Sequence, residues 1–162
     1  MLQVSSGVHL SPFADIEISL IGTLVKIESG CHIDSFVKIK TVGGVGDITI
    51  GENSYVNSGT VIYSGNGVSI GRNVLIAANC TLAPVNHAYK CASKLIIEQR
   101  FLPSRGGIII EDDVWIGCNS VLLDGSIIRQ GCVVAAGSIV RGELPPYSVC
   151  AGNPATVKSY RE

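Results

Sequence analysis

At 162 residues the chain has the length of a single domain, and 46 % hydrophobic against 15 % charged residues, with 19 glycines, suits a structure that buries a continuous aliphatic stack. A formal net charge of −1 gives no electrostatic footprint for nucleic acid or a membrane surface. No apolar run reaches the length of a membrane span, and with Lys26 as the first basic residue no secretory leader is expected.

In chain order, residues 1–20 show no clean repeat. Ile16, Ile18 and Leu20 alternate, which predicts a strand that caps an open end of the structure behind it. From Ile21 a period of six takes over. Ile21, Ile27, Ile33 and Ile39 form one run, then Ile50, Val56 and Ile62, then Ile70, Ile76 and Leu82. The longest run is Ile110, Ile116, Leu122, Ile128, Val134 and Val140, which makes sixteen hexads in all. Three places after the aliphatic comes a residue that tolerates a left-handed backbone, as at Asp113, Asn119, Gly125, Gly131 and Gly137. The next place is usually small, as at Ser120, Ser126, Cys132 and Ser138. A period of six fits neither a helix at 3.6 nor a simple strand at 2. It fits a short strand, a tight corner and another short strand, the signature of a β-helix.

Two short breaks, at 43–47 and around Gly65–Gly67, interrupt the repeat, and one long break runs over 83–109. The long loop carries Tyr89, Leu95, Ile96, Ile97, Phe101 and Leu102, so it is expected to pack on something, such as a neighbouring subunit. Pro145 and Pro146 end the pattern because they cannot join its backbone pairing. The expected organisation is an N-terminal cap at 1–20, a β-helix at 21–157 with the loop at 83–109, and a tail at 158–162.

Of six cysteines, Cys31, Cys80 and Cys132 occupy the small fifth place of a hexad, Cys118 and Cys150 lie in or beside the repeat, and Cys91 lies in the loop. With no CxxC pair they read as reduced structural thiols, which favours a reducing cytoplasm. Of three histidines, His9 and His32 read as surface or packing residues. His87 stands at the root of the long loop, where a catalytic and a structural reading are equally open. No Ser-His-Asp or Cys-His grouping argues for a covalent enzyme intermediate. Cys91 is the one thiol near His87 in sequence, so direct transfer is the better reading of any group-transfer chemistry here.

The hexads resemble those of the hexapeptide-repeat acyltransferases, which implies an all-β, left-handed parallel β-helix of about five coils at three hexads per coil. The segments NHAY, IIIEDDVWIG and IGENSYVNSGTVIYSG resemble the maltose, galactoside and colanic-acid O-acetyltransferase branch. That resemblance implies His87 of the NH pair as general base, with Asn86 beside it and Asn57 holding an acceptor sugar. Glu98 is a candidate to orient the imidazole. The resemblance also implies acetyl-CoA as donor, lying in a groove between subunits along WIGCNS and VVAAGSIVRG. Trp115, Gly117, Cys118, Ala135 and Ala136 would line that groove. Relatives often have Thr-Lys where this chain has Arg141-Gly142, so Arg141 or Lys158 would meet the nucleotide end. The implied assembly is a homotrimer with active sites between subunits, and no metal is implied.

An amino acceptor on a nucleotide-linked sugar remains open, although many such enzymes add an N-terminal nucleotide-binding domain not found here. A γ-class carbonic anhydrase needs three zinc histidines, two of them as HxxxxH, and here more than twenty residues separate each histidine from the next. A non-catalytic scaffold is the reading from a third class, and the long loop with His87 argues against it. Serine acetyltransferase and maltose-type enzymes carry helical N-terminal segments that this sequence does not show, which points to surface-polysaccharide synthesis.

Overall fold

A hexad supplies one strand and one corner, so three of them return the chain to the side it started from. In the computed structural model, which describes residues 1–162, the result is a left-handed parallel β-helix of three sheets. Its first coil is β1 (Leu2–Val4), β2 (His9–Leu10) and β3 (Asp15–Ile16). The second is β4 (Val25–Ile27), β5 (His32–Ile33) and β6 (Lys38–Lys40), and the third β7 (Ile48–Ile50), β8 (Tyr55–Val56) and β9 (Val61–Tyr63). The fourth is β10 (Val68–Ile70), β11 (Leu75–Ile76) and β12 (Thr81–Ala83). The long loop follows, with one short helix, α1 (Ile96–Gln99). The fifth coil is β13 (Ile108–Ile110), β14 (Trp115–Ile116) and β15 (Val121–Leu123). The sixth is β16 (Ser126–Ile128), β17 (Val133–Val134) and β18 (Ile139–Val140). A partial seventh holds β19 (Glu143–Leu144) and β20 (Ser148–Gly152), and β21 (Ala155–Tyr160) turns back antiparallel along β20. The first strands of the coils form sheet A, the second strands sheet B and the third strands sheet C.

The repeat positions do what their chemistry requires. Ile27, Ile33, Ile39, Ile50, Ile62, Ile76, Leu82, Ile116, Leu122, Ile128, Val134 and Val140 are completely buried. In sheet A, Val25, Ile48, Val68 and Ile108 stand in direct register on successive coils. Each side chain therefore packs between the coil above and the coil below, and full burial of one such residue is worth about 1.5–3 kcal/mol. Asn53, Asn73, Asn79, Asp113 and Asn119 turn the corners with φ between 56° and 59°. The small fifth-place residues are buried too. Their hydroxyls satisfy corner carbonyls, as Ser120 Oγ donates to Gly117 O at 2.7 Å and Ser138 Oγ to Ala135 O at 2.6 Å.

Four expectations need correction. Six complete coils stand where about five were expected. The additional coil is residues 2–16, which are not a separate capping strand but pair in parallel with the second coil along all three sheets. Ile21 does not open a hexad, since it is 61 % exposed in the turn that joins β3 to β4, and Leu20 beside it is 99 % exposed. Residues 158–160 belong to β21 and are no free tail, and Arg161 is tied to Asp113 Oδ2 at 3.0 Å and Gly131 O at 2.8 Å.

Candidate active site

Every break in the repeat falls at the same corner, where sheet C hands over to sheet A. The 43–47 break follows β6, Gly65–Gly67 follow β9, and the long loop follows β12. Glycine lets these irregular segments stack. A Cβ on Gly44 would strike the carbonyl oxygen of Gly65, and one on Gly107 would strike that of Gly67. Asp124 closes the stack from the coil below. This carboxylate is 3 % exposed, and its two oxygens accept the backbone N–H of Arg105 at 2.9 Å and of Gly107 at 3.0 Å. It thereby fixes the returning limb of the loop.

The departing limb carries His87. It is held to the returning limb by an antiparallel bridge to Phe101, with Ala88 N–H donating to Arg100 O at 2.9 Å and Leu102 N–H to Asn86 O at 2.8 Å. The imidazole lies against the Phe101 ring, centroids 4.7 Å apart and planes tilted by 43°. Beside it opens a cleft of about 390 Å³ lined by Asn86, His87, Tyr89, Leu102, Arg105, Leu123, Asp124 and Arg141. Two of the sequence candidates beside His87, Asn86 and Arg141, therefore share its cleft. Arg105 and Asp124 were not singled out, and Tyr89 and Leu102 were read only as apolar residues of the loop. An Asp at the third place of the LLDGS hexad, among aliphatics, was the signal available for Asp124.

Glu98 has a different task. It lies on α1, outside the cleft lining, and accepts the N–H of Leu95 at 3.3 Å, so it caps the helix that contains it. Tyr89, Leu95, Ile97 and Phe101 remain exposed on the single chain.

Asn57 lies at another corner, where sheet B hands over to sheet C, and its Nδ2 donates to Ile76 O at 2.8 Å. It lines a smaller hollow of about 210 Å³ with His9, His32, Asp34, Tyr55 and Val56. His9, His32 and Tyr55 form a ladder there, with ring centroids 5.3 and 4.4 Å apart on successive coils. Distance in sequence had set His9 and His32 apart, but a solenoid coil brings residues one period apart into contact. No three His, Cys, Asp or Glu side chains gather anywhere in the structure to hold a metal ion.

The segments assigned to the donor share the corner of Asn57. Gly117 and Cys118 follow β14, and Ala135 and Ala136 follow β17 one coil on. Gly137 N–H donates to Cys118 O at 2.8 Å, whereas the N–H groups of Cys118 and Ala136 have no partner within the chain. A Cβ on Gly117 would lie 2.5 Å from Ala136 N, so only glycine lets the two coils close here. The result is two unpaired backbone donors one coil apart, flanked by small side chains. It fits the amide-rich arm of a coenzyme A ester. Trp115 is 53 % exposed on sheet B and lines a separate hollow with Leu75, Val133 and Arg161. Lys158, expected with Arg141 at the nucleotide end of the donor, lies exposed on β21, and the basic residue in the Trp115 hollow is Arg161.

All six cysteines are free. Cys31, Cys80, Cys132 and Cys150 are buried, and burial raises the thiols of Cys31 and Cys80 and pushes that of Cys132 up to about 11. Cys91 is exposed, and a hydrogen bond with Ser93 lowers its thiol.

Comparison with known proteins agrees with the fold. The bacterial transferase hexapeptide (six repeats) matches residues 107–142, and the hexapeptide repeat of succinyl-transferase matches residues 47–84. The chain is 35 % identical over 134 residues to WbbJ of Escherichia coli (strain K12), described as a lipopolysaccharide biosynthesis O-acetyl transferase, across 79 % of this chain and 64 % of that protein. It is 39 % identical over 111 residues to the galactoside O-acetyltransferase of the same organism, across 68 % and 53 %. The chain thus spans between half and two thirds of the length of these curated relatives. A hexapeptide-repeat acetyltransferase of Vibrio cholerae, solved with acetyl coenzyme A, superposes with a TM-score of 0.70 at 28 % identity, over 88 % of this chain and 73 % of that one. No helix is long and apolar enough to cross a membrane.

Proposed function

The chain belongs to the hexapeptide-repeat transferase family, and from that premise we propose that it transfers an acetyl group from acetyl-CoA to a sugar hydroxyl, with His87 as general base. The relatives named for O-acetyl transfer, one of them in lipopolysaccharide biosynthesis, support a role in building surface polysaccharide, and cysteines that are all free fit a reducing cytoplasm.

The observation that carries the reading is the placement of His87. A loop otherwise exposed on the single chain is anchored at its root so that one imidazole faces a cleft. A sugar hydroxyl is almost fully protonated at neutral pH and attacks a thioester poorly. A neutral imidazole, whose ordinary basicity lies near physiological pH, accepts that proton as the new oxygen–carbon bond forms. Backbone N–H groups stabilise the oxyanion of the tetrahedral intermediate. The carbon–sulfur bond then breaks, and the imidazolium returns its proton to the departing thiolate. Coenzyme A supplies the activated thioester, and the corner at Gly117, Cys118, Ala135 and Ala136 offers its arm the unpaired N–H groups of Cys118 and Ala136.

Within one chain the base and this donor strip lie at different corners, with sheet C between them. Asn57 also lies on the donor's side. A complete site therefore takes one corner from each of two copies, which supports a homotrimer closed around a three-fold axis, with Tyr89, Leu95, Ile97 and Phe101 against a neighbour.

The test incubates the protein with acetyl-CoA and a panel of hydroxyl and amino sugars and follows thiol release. Release with hydroxyl sugars is expected. Release with amino sugars alone would assign N-acyl transfer instead, and release with none would overturn the reading.

A further inference from the structure

Resting on the acyl-transfer reading, we propose that the acceptor carries a compact anion, a carboxylate or a phosphate, which Arg105 and Arg141 bind beside His87.

The chain has six arginines. Arg72 pairs with Asp112 at 2.7 Å, Arg129 bridges Glu111 and Glu143 at 2.8 Å each, and Arg161 pairs with Asp113 at 3.0 Å. These three are structural clasps between coils. Arg100, Arg105 and Arg141 take part in none of the ion pairs of the chain, and of these Arg105 and Arg141 line the His87 cleft. They reach it from different elements, Arg141 from the end of β18 and Arg105 from the returning limb of the loop. Two exposed guanidinium groups without ion-pair partners on the wall of one cleft make it a favourable place for an anion.

The one carboxylate in the lining offsets only one of the two charges and forms an ion pair with neither arginine. Asp124 is buried, and both its oxygens are taken by the backbone N–H groups of Arg105 and Gly107. The guanidinium heads thus remain free to donate. Their planar fork matches the paired oxygens of a carboxylate or phosphate.

The donor does not account for the pair. A cleft of about 390 Å³ is short beside coenzyme A. The phosphates of coenzyme A are separated from its thioester by the whole pantetheine arm, which is much longer. A cleft that places the reacting carbonyl at His87 cannot also hold the donor's phosphates. An anion here belongs to the acceptor, held so that a neighbouring hydroxyl meets the imidazole. A uronic acid or a sugar phosphate has this form.

The test has a binding arm and a turnover arm. In the first, glucuronate, glucose 1-phosphate and glucose are titrated into protein saturated with coenzyme A, following the His87 ring resonances by NMR. Glucuronate or glucose 1-phosphate should shift them at concentrations where glucose does not. Arg105→Gln and Arg141→Gln should each weaken that binding roughly 10- to 100-fold, the worth of a charge-assisted contact. Added salt should weaken it further. Binding that disappears once coenzyme A is present would return the arginines to the donor and overturn the proposal, as would equal binding of glucose. In the second arm, a kcat/KM that favours the anionic sugars, with the preference lost in either variant through KM, is the expected result. If both variants lower kcat alike for charged and neutral acceptors, the arginines serve the reaction's own oxyanion and the proposal fails. Anion binding without thiol release from any acceptor would instead sink the acyl-transfer reading while leaving the anion site in place.

Discussion

Replacing Asp124 with asparagine tests whether one buried carboxylate holds the catalytic loop. The side chain is 3 % exposed and accepts two backbone N–H groups, from Arg105 at 2.9 Å and Gly107 at 3.0 Å. Asparagine keeps one acceptor oxygen but turns an NH₂ group toward the second donor. One charge-assisted hydrogen bond is lost, the other becomes neutral, and a buried N–H is left facing another donor. Hydrogen bonds to charged groups contribute about 1.5–3 kcal/mol, so the expected loss is about 2–3 kcal/mol. At tenfold per 1.4 kcal/mol, the opening equilibrium of the returning limb rises roughly 30- to 140-fold. Amide hydrogen exchange reads this directly. The Gly107 N–H should exchange faster by that factor in Asp124→Asn, while amides in the central strands, such as Ile116, keep their protection. A Gly107 rate within about twofold of the parent would show that the glycine stack alone holds the loop, and the role given to Asp124 would be wrong.

Thiol labelling of the native protein should modify Cys91 first and leave Cys31, Cys80, Cys132 and Cys150 unlabelled until unfolding, because the first is exposed with a lowered thiol and the others are buried. Prompt labelling of all six would contradict the packing. The Cys132 thiol is raised from 9.0 to about 11, so its contribution to stability is complete below pH 9. It falls as pH climbs toward about 11, by about 1.4 kcal/mol per pH unit, because the unfolded thiol ionises there and the folded one does not. Denaturant midpoints should therefore fall less steeply over that range in Cys132→Ala than in the parent. Gly117→Ala places a Cβ 2.5 Å from Ala136 N, and overpacking of this kind costs about 1–3 kcal/mol, so a lowered melting temperature is expected. An unchanged one would mean that the two coils separate there without strain. Light scattering should give about 51 kDa, three times the chain mass of 17.0 kDa. A monomer at micromolar concentration would leave the base and the donor strip on separate molecules.

The sequence period predicted the interior and the corners because both depend on local chemistry repeated many times. Ile110 through Val140 at every sixth place are buried, and Asp113, Asn119, Gly125, Gly131 and Gly137 all have positive φ, as read. The first coil was illegible for a physical reason. Val4, Leu10 and Ile16 do follow the period, in register with Ile27, Ile33 and Ile39. A terminal coil has a neighbour on one side only, so Val4 and Leu10 stay 45 % and 39 % exposed, and their corners carry less regular residues such as Phe13. An exposed Ile21 then set a false start for the repeat. The position of His87 was legible because the loop root is marked by the break itself. Arg105 and Asp124 were not, since their meeting depends on where a long loop returns, and no local pattern encodes that. The separation of Asn57 from His87 was hidden for a related reason. A hexad reveals that a residue sits at a corner, but counting corners requires knowing which breaks add residues to a coil.

The claim on which the account turns is that His87 is the base, and the decisive measurement is kcat for His87→Ala beside its coenzyme A affinity and melting temperature. The imidazole is exposed at the cleft and contributes to no buried cluster, so the melting temperature and donor affinity should stay close to the parent. Turnover should fall by about 10²–10⁴, the usual worth of a positioned base. A variant that melts well below the parent, or that keeps nearly full turnover, would show that His87 serves the fold of the loop and that the proton is taken elsewhere.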